Sequence, residues 1–434
     1  MTRCGVNIIG AGLAGCEAAY QLARRSVKVC LFDIKPKSFT PAHSSPYFAE
    51  LVCSNSLKSD ELTNACGLLK QEMREIGSLI MSCADMHRVP AGSALAVDRE
   101  KFTREVTERI KGFDNIHIVC REVTSIESGA YTIIASGPLT TPALAKEIMR
   151  LSGAENLYFF DAAAPIVDGS TIDMERAFMA DRYGKGGGDY LNCPMDEEEY
   201  YAFVKELASA QTVKLKDFED DKVFEGCVPI EVMARRSPDS LRFGPLRPVG
   251  LAGKDGKMPF AVVQLRRENL EGSYYNMVGF QTNLLFSEQK KVFSMVPALK
   301  SAEFVKYGVM HKNTYINSPK VLNRFYQLRG ADNIFFAGQL CGVEGYVESA
   351  SSGQVAGINL YRMLCGRPPV DFTDMTVTGA LSCYVSAENP NFQPMNANFA
   401  ILKPLEGRFK DKKQKYMAYA ERSLSIIRKI AADL

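Results

Sequence analysis

Hydrophobic and polar positions follow a clear order at the start of the chain. An apolar run at residues 6–9 is followed by the glycine turn 10–15 and a helix-like stretch at 16–24. A second apolar run, at 27–32, ends in Asp33. A strand, a glycine turn, a helix and a second strand ending in an acid make up a dinucleotide-binding unit. The pattern therefore predicts such a unit at the N-terminus, the alternative being a glycine-rich turn in some other α/β protein.

The residues of this turn have separate predicted tasks. One glycine makes the turn, one lets the backbone approach a pyrophosphate, and one lets helix and strand pack closely. The helix N-terminus offers free N–H groups to the phosphates, and the acid is placed to accept hydrogen bonds from a ribose diol. The candidate cofactor-binding residues here are Gly10, Ala11, Gly12, Leu13, Ala14, Gly15 and Asp33.

A second glycine-rich turn lies late in the chain. The apolar run 333–337 enters it, and a helix that begins near Val347 has small residues along one side, which let a helix lie close to a strand or a cofactor. Two such turns favour FAD, with the ADP half at the first and the flavin half under the second, because an enzyme that binds NAD alone would not need the late turn. Residues 131–138 resemble the strand-end turn that many flavoproteins place near the cofactor. The candidate residues of the late turn are Gly338, Gln339, Gly342, Val343, Glu344 and Gly345.

The rest of the pattern indicates an α/β protein built from a Rossmann-like FAD-binding domain that is interrupted by an inserted α+β domain. Residues 36–60 are rich in Pro, Ser and Asn and predict a long loop, and 61–81 has a helical pattern. From about residue 180 the pattern changes, with a helix at 196–209 and strand-like runs at 260–265 and 274–281. The predicted divisions are 1–180 for the first part of the FAD-binding domain, 181–328 for the inserted substrate domain, and 329–434 for the second part with a basic C-terminal helix. The cofactor is expected between the domains.

Composition narrows the class of protein. The 434 residues are 46% hydrophobic and 24% charged, which is ordinary for a globular protein, and no apolar run is long enough to predict a membrane span. The N-terminus enters a predicted strand almost at once, so no signal peptide is expected. The twelve cysteines include no C-x-x-C pair, so with four histidines no metal site is expected. Dispersed thiols without a secretion signal favour a cytoplasmic location.

The net charge of +2 is small, but basic residues are clustered. Such clusters can contact phosphates, and the alternative is an ordinary solvated surface. The clusters are Arg408, Lys410, Lys412, Lys413 and Lys415 near the C-terminus, and Arg235, Arg236, Arg242 and Arg247 mid-chain.

Two cysteines and one histidine have the surroundings of reactive groups. Cys53 and Cys227 lie in turn-like segments with polar or glycine neighbours, and a thiolate there is a strong nucleophile. The alternative is that each acts as a small buried hydrophobe. An acid such as Glu50, if close to Cys53, would raise the pKa of the thiol. His311 could stack on a flat ligand or move a proton, although a lone histidine is more often structural.

These motifs together resemble the bacterial folate- and FAD-dependent tRNA (uracil-5-)-methyltransferases. The combination of the segment 182–187 with the segment 224–227 distinguishes the chain from generic flavoproteins. The resemblance covers most of the chain, in the segments 10–15, 50–56, 64–69, 89–99, 136–141, 160–167, 182–195, 224–234, 241–251, 275–282, 307–319, 335–353 and 394–399.

The resemblance implies a reaction. The one-carbon unit of 5,10-methylenetetrahydrofolate would pass to C5 of the T-loop uridine (position 54) of tRNA, with electrons from NADH or NADPH supplied through FAD. Cys53 and Cys227 match the two cysteines of the family, one of which would add to uracil C6 or assist proton transfer. His311 becomes a candidate for stacking on the folate pterin. The basic residues Arg235, Arg242, Lys412 and Lys413 become candidates for gripping the tRNA backbone.

Three alternatives stay open at this point. A related enzyme could use the same chemistry on a ribosomal RNA uridine. The chain could also be a plain NAD(P)H:flavin oxidoreductase, or a flavoprotein that binds RNA without methylating it. The motifs leave open which cysteine attacks the base, which nicotinamide is preferred and the oligomeric state.

Overall fold

The structure is a computed structural model that describes residues 5–153, 156–184, 187–213 and 228–434. Cys227 and residues 185–186 of the glycine-rich segment therefore lie outside the described residues. The strands are β1 (Val6–Ile9), β2 (Val29–Asp33), β3 (Ser56–Ser59), β4 (Arg88–Val89), β5 (Ala94–Val97), β6 (Ile116–Cys120), β7 (Thr132–Ile134), β8 (Asn156–Ala162), β9 (Ile166–Asp168), β10 (Phe178–Met179), β11 (Tyr190–Met195), β12 (Ala261–Arg267), β13 (Tyr274–Met277), β14 (Phe304–Lys306), β15 (Met310–Ile316) and β16 (Ile334–Phe336).

The helices lie mainly against the faces of the sheets. They are α1 (Leu13–Ala23), α2 (Ala65–Ile76), α3 (Leu79–Met86), α4 (Arg99–Lys111), α5 (Pro142–Ser152), α6 (Glu197–Ser209), α7 (Ile230–Arg236), α8 (Ser240–Phe243), α9 (Phe286–Phe293), α10 (Ser318–Val321), α11 (Tyr346–Leu364), α12 (Val377–Tyr384) and α13 (Lys412–Ala432). Among the described residues, no helix has both the length and the apolar character needed to cross a bilayer.

A parallel sheet of five strands forms the centre of the nucleotide-binding part, in the order β16-β7-β1-β2-β6. Strands β1, β7 and β16 are short, largely buried apolar runs, as parallel strands covered by helices must be, whereas β6 at one edge is mostly only half-buried. The chain order reverses at β1, since β2 and β6 lie on one side and β7 and β16 on the other. In such sheets, ligands bind at the carboxyl ends of the strands beside the reversal. The predicted Rossmann-like α/β class is confirmed.

Helices α1 and α11 pack closely because one of them has small residues at the contact. A Cβ added at Gly353 would lie 2.1 Å from the carbonyl oxygen of Ala14, and one at Gly357 would lie 3.0 Å from that of Ala18. The small residues predicted along one side of the late helix therefore lie where the two helices cross. This contact fixes the two glycine turns beside each other, since each turn leads into one of these helices.

The inserted part is built on a six-stranded antiparallel sheet in the order β10-β11-β12-β13-β9-β14. Side chains alternate between its two faces. One face is apolar and packs with α6 and α9 in a separate core, whose members include Leu191, Val263, Leu265, Phe203 and Phe293. The other face is polar and presents Tyr190, Asn192, Gln264, Arg266 and Asn276.

This sheet includes β9 and β10, which precede residue 181, so its strands begin nearer the N-terminus than the segment predicted from the sequence. Strands of two or three residues have no hydrophobic period to reveal them. The division of the chain into domains remains a prediction. The segment 61–81, predicted as one helix, is two, because Gly77 adopts a left-handed conformation and Ser78 caps α3 by accepting from the N–H of Met81.

Candidate functional site

A cavity lies at the carboxyl ends of the parallel strands. Its wall includes the first glycine turn from Gly10 to Ala14, Asp33 at the end of β2, and Gly338 and Gln339 of the late turn. The predicted strand-end turn also contributes, through residues 135–141. The structure therefore brings three separately predicted segments to one cavity.

The glycines of the first turn differ in what surrounds them. Gly10 has φ +102°, and a Cβ there would lie 2.4 Å from the carbonyl oxygen of Ala135. A Cβ at Gly15 would lie 1.8 Å from the carbonyl oxygen of Gly10, so this position holds helix against strand. A Cβ at Gly12 would meet no described atom within 4 Å. Gly12 therefore faces open space where a pyrophosphate can approach the backbone.

Asp33 braces the same turn. One carboxylate oxygen accepts from the N–H of Ala11 at 2.6 Å, and the other accepts from the N–H of Lys35 at 2.8 Å. Each oxygen keeps further acceptor capacity, because a carboxylate has about four lone-pair directions. The side chain lines the cavity, as a ribose contact requires.

The late turn is a frame of three glycines in positive-φ conformations, of which only Gly338 lines the cavity. A Cβ at Gly342 would lie 2.4 Å from the ring of Phe392, and one at Gly345 would lie 2.1 Å from the carboxylate of Glu348. Gly342, Val343, Glu344 and Gly345 thus lie behind the cavity wall and hold its shape. Helix α11 begins directly after Gly345 without a side-chain cap, as α1 does after Gly12. Both helix starts therefore keep free N–H groups for an anionic ligand.

Cys53 lies next to this cavity on the loop after β2. Its backbone N–H donates to the hydroxyl of Tyr346 at 2.8 Å, and its thiol lies 3.6 Å from the carbonyl oxygen of Ala162 as a weak donor. Tyr346 and Val52 both line the cavity. The loop that carries Cys53 therefore borders the cavity, although Cys53 itself does not line it.

Two arginines, the buried Arg266 and the partly buried Arg99, hold the loop of Cys53. Arg266, on the polar face of the inserted sheet, donates to the Ser54 hydroxyl at 2.6 Å and to the Asn55 side-chain oxygen at 2.8 Å. Arg99 donates to the carbonyl oxygen of Leu51 and forms a bidentate pair with Glu268, at 2.9 and 3.0 Å. The loop is therefore fixed from both parts of the protein.

Burial raises the pKa of Cys53 to about 12, and the negative charge of Asp161 adds to the effect. Arg99 and Arg266 oppose this shift, so removing either would raise the pKa further. The resting group at neutral pH is a thiol, which must lose its proton as it attacks. The acid flagged by the sequence, Glu50, lies in an ion pair with Lys35 at 3.5 Å instead.

Glu344 is the second titratable group of the site. It is buried, and its carboxylate accepts from the side-chain amide of Gln339. Burial and the nearby charge of Asp161 raise its pKa to about 8. Its charge acts on Cys53, so the two groups are neighbours. A carboxyl with this pKa can hold or release a proton near neutral pH.

His311 lies on β15, opposite Asp161 of β8. Burial lowers its pKa to about 4, and the charges of Lys306 and His43 add to the effect. The imidazole is therefore neutral at physiological pH. His43 lines the cavity and its charge acts on His311, which does not itself line the cavity.

The four basic candidates differ in what their side chains contact. Arg235 donates to the carbonyl oxygens of Ala208 and Ala210 after α6, and Arg242 lies 3.6 Å over the ring of Phe260. These two are committed to contacts within the inserted part. Lys412 and Lys413 line an open groove with residues 61–63 and 92–93, and their ammonium groups have no carboxylate within 4.0 Å among the described residues. Of these four candidates, the lysine pair is the one available to a phosphate backbone.

The chain is similar to a known protein family and to several named relatives. Residues 5–368 match the family model described as GIDA, glucose inhibited division protein A. An Acetivibrio thermocellus protein named methylenetetrahydrofolate–tRNA-(uracil-5-)-methyltransferase TrmFO is 56% identical over 425 residues, 98% of each chain. A Bacillus pumilus protein of the same name is 53% identical over 431 residues, 99% of each chain. The chain belongs to the TrmFO family.

The resemblance found in the sequence is thereby confirmed. Among solved structures, Aquifex aeolicus GidA superposes with a TM-score of 0.71 in two crystal forms, at 15% identity. That match covers 99% of this chain and 74% of the GidA chain in one form. At this identity the likeness shows the fold alone, which TrmFO proteins therefore share with GidA.

Sequence reasoning missed the groups that position Cys53 in this TrmFO chain. The position of Arg266 could have been noticed in the sequence. It alternates with apolar residues in β12, and a charged side chain in such a strand needs a buried partner. Tyr346 gave no such signal, because its contact with Cys53 spans 293 positions of sequence. Within the described ranges, no group of three or more His, Cys, Asp or Glu side chains is arranged to hold a metal ion.

Proposed function

We propose that this TrmFO chain transfers the one-carbon unit of 5,10-methylenetetrahydrofolate to C5 of the T-loop uridine (position 54) of tRNA. In the balanced reaction the C5 hydrogen is replaced by a methyl group, the folate leaves as tetrahydrofolate, and NADH or NADPH supplies two electrons through FAD. The observation that carries the proposal is a dinucleotide cavity beside the loop of Cys53, in a chain 56% identical to a named enzyme of this activity.

The cavity fits FAD. Gly12 leaves the backbone open for a pyrophosphate, Asp33 is placed for the ribose, and two uncapped helix starts flank the space. When bound, FAD supplies the electrons that turn a methylene group into a methyl group. The residues proposed to hold it are those of the glycine turn, Asp33, Gly338 and Gln339, with Gly342, Val343, Glu344 and Gly345 shaping the late turn.

Cys53 is proposed as the nucleophile that adds to uracil C6. Uracil C5 is a poor nucleophile until a group adds at C6. Beside the cavity, Tyr346 holds the backbone N–H of Cys53, and the carbonyl oxygen of Ala162 lies 3.6 Å from its thiol. Because burial keeps the sulfur protonated, its proton must leave as the C–S bond forms. Glu344, with a pKa of about 8, is proposed to accept that proton in the molecules in which its carboxyl is ionised. The neutral ring of His311 is proposed to stack on the pterin of the folate.

The target is proposed to be tRNA rather than ribosomal RNA. The relatives at 52–56% identity share a name that specifies tRNA, and this does not favour the ribosomal alternative. We propose a cytoplasmic location, because folate, reduced nicotinamide and unmodified tRNA are available together there. Lys412 and Lys413 are the proposed phosphate contacts.

The test compares Cys53→Ala with Cys365→Ala, a control that removes an exposed free thiol. Each holoenzyme receives labelled methylenetetrahydrofolate, NADPH, and either tRNA or ribosomal RNA lacking the methyl group. We expect wild type and Cys365→Ala to label tRNA and Cys53→Ala to lose at least about 100-fold in rate, in line with losses for removed nucleophiles. All three are expected to keep FAD and its reduction by NADPH.

Three outcomes would contradict the proposal. Label on ribosomal RNA alone would support the ribosomal alternative. Flavin reduction without label on either RNA would support a plain oxidoreductase. Full transfer by Cys53→Ala would remove Cys53 from the chemistry.

A further inference from the structure

An exposed tyrosine with two arginines lies on the inserted part, at some distance from Cys53. Tyr183 is 61% exposed, although its backbone has φ +60° and ψ +22°, a conformation that side chains other than glycine rarely adopt. Its N–H donates to the carbonyl oxygen of Gly250 at 2.9 Å, and a Cβ at Gly250 would lie 2.9 Å from two of its ring carbons. The ring therefore rests on a glycine and is held in solvent. Strained residues kept in place by their surroundings often serve binding.

The charges beside this ring are positive. Arg182 donates to the side-chain oxygen of Gln264 at 3.1 Å and to the carbonyl oxygen of Val249 at 3.0 Å. Val249, which accepts from Arg182, is two residues from Arg247, and the charge of Arg247 adds to the effect of burial in lowering the pKa of Arg182. Among the described residues, neither has a carboxylate within 4.0 Å. Two neighbouring cations without an acid favour an anion such as a phosphate.

The patch of Arg182, Tyr183 and Arg247 shares the polar face of the inserted sheet with the reaction centre. Gln264, which holds Arg182, lies two residues from Arg266 on β12, about 7 Å along the strand. Arg266 in turn holds Ser54, the neighbour of Cys53. One layer of polar side chains thus leads from the patch to the nucleophile loop.

The patch also connects to the groove of the C-terminal lysines. The carboxylate of Asp181 accepts from the N–H groups of Gly188 and Asp189, and Asp189 accepts from the N–H of Gly92 at 2.7 Å. Gly92 lines the groove of Lys412 and Lys413. The segment beside the patch is therefore hydrogen-bonded to the wall of the lysine groove.

We propose that Tyr183, Arg182 and Arg247 bind one unstacked nucleotide of the RNA loop, at a base other than the target uridine. The ring stacks on the base and the guanidiniums contact its phosphate, which is the usual way proteins hold single-stranded RNA. The inference rests on the proposed function, because drawing the target uridine out of the loop leaves other bases without stacking partners. The patch would hold the loop open while the uridine is at Cys53.

The experiment compares the holoenzyme variants Tyr183→Ala and Tyr183→Phe with the control Tyr201→Ala. Tyr201 is a partly exposed tyrosine on α6, a helix that packs on the opposite, apolar face of the sheet. Methyl transfer is measured against the concentration of tRNA lacking the methyl group, at saturating folate and NADPH. Tyr183→Ala is expected to raise KM for tRNA by about 5- to 150-fold, the range for one lost base stack, with kcat nearly unchanged. Tyr183→Phe keeps the stack and is expected to stay within about twofold, as is Tyr201→Ala.

Unchanged KM in Tyr183→Ala would overturn the proposal, and so would equal increases in Tyr183→Ala and Tyr183→Phe. FAD content and flavin reduction by NADPH must match wild type in every variant, because their loss would show a folding defect instead of a lost stack. If Tyr183→Ala has such a defect, Arg247→Ala, which changes an exposed side chain, replaces it. A raised KM for tRNA in Arg247→Ala then supports the proposal, and an unchanged KM overturns it. If wild type transfers no methyl group to tRNA, the proposed function fails. Direct binding of the same tRNA would then still test the patch, since only a patch that holds RNA would lose affinity on Tyr183→Ala.

Discussion

Replacing Arg266 with glutamine tests how the structure positions Cys53. Arg266 is 6% exposed, and its guanidinium donates short hydrogen bonds to Ser54 and Asn55, at 2.6 and 2.8 Å. Hydrogen bonds from a charged donor contribute about 1.5–3 kcal/mol each, so the loop loses at most about 3–6 kcal/mol of fixation. The charge of Arg266 also lowers the pKa of Cys53, so its removal makes the thiol still weaker as an acid.

The assay has two parts. Methyl transfer to tRNA is expected to fall at least about tenfold in kcat, because a nucleophile misplaced by about 1 Å already costs more than that. Alkylation of Cys53, followed on its own peptide by mass spectrometry, is expected to be slower than in wild type at each pH from 7 to about 10. Arg266→Lys keeps the positive charge but cannot donate to Ser54 and Asn55 together as the guanidinium does. Compared with Arg266→Gln, it should therefore restore much of the alkylation rate and little of kcat.

The matched control is Arg176→Gln, an exposed arginine of the same part of the protein. It should leave both rates unchanged. If Arg266→Gln, with its full content of FAD, keeps both wild-type methyl transfer and the wild-type alkylation profile, Arg266 does not position Cys53.

Three further perturbations separate other parts of the account. Gly12→Val should fold and purify without FAD, since its side chain enters only the open space, whereas Gly15→Ala should destabilise the fold itself through its contact with the Gly10 carbonyl; absorbance at flavin wavelengths and thermal unfolding distinguish them. In wild type, the raised pKa of Glu344, about 8, gives stability that is present at low pH and is lost as pH rises through that value. Glu344→Gln lacks this dependence, so its free energy of unfolding should rise relative to wild type between about pH 5 and 8, by at most about 5 kcal/mol. Equal pH dependence of unfolding in both proteins would contradict this. His311→Ala should raise KM for the folate at least about fivefold and leave that for tRNA unchanged, and an unchanged folate KM would exclude the stack.

The nucleotide cavity was predictable because its parts are local in sequence. A strand, a glycine turn and a helix follow one another within residues 6–23, and the small residues of α11 mark a close contact before its partner is known. Each glycine's surroundings could not be assigned in advance. Only the structure shows that Gly12 is the open position and Gly15 the packed one.

The environment of Cys53 was not predictable, because its contacts join distant segments. Arg266 lies 211 positions from Asn55, and Asp161 rather than the adjacent Glu50 adds to the raised thiol pKa. The clusters of basic residues in the sequence did not show which side chains are free to contact RNA. Arg235 lies in a charged run like Lys412, yet only the structure shows its guanidinium committed to carbonyl oxygens.

Isotopic labelling of the folate can show directly whether its one-carbon unit becomes the methyl group of the T-loop uridine. Wild-type enzyme is given tRNA lacking the methyl group, NADPH, and methylenetetrahydrofolate with deuterium at both methylene positions, and the digested nucleosides are weighed by mass spectrometry. We expect 5-methyluridine from the T loop in which the methyl group retains both deuterium atoms and gains one hydrogen. A methyl group without deuterium, or flavin oxidation with no methylated uridine, would contradict it.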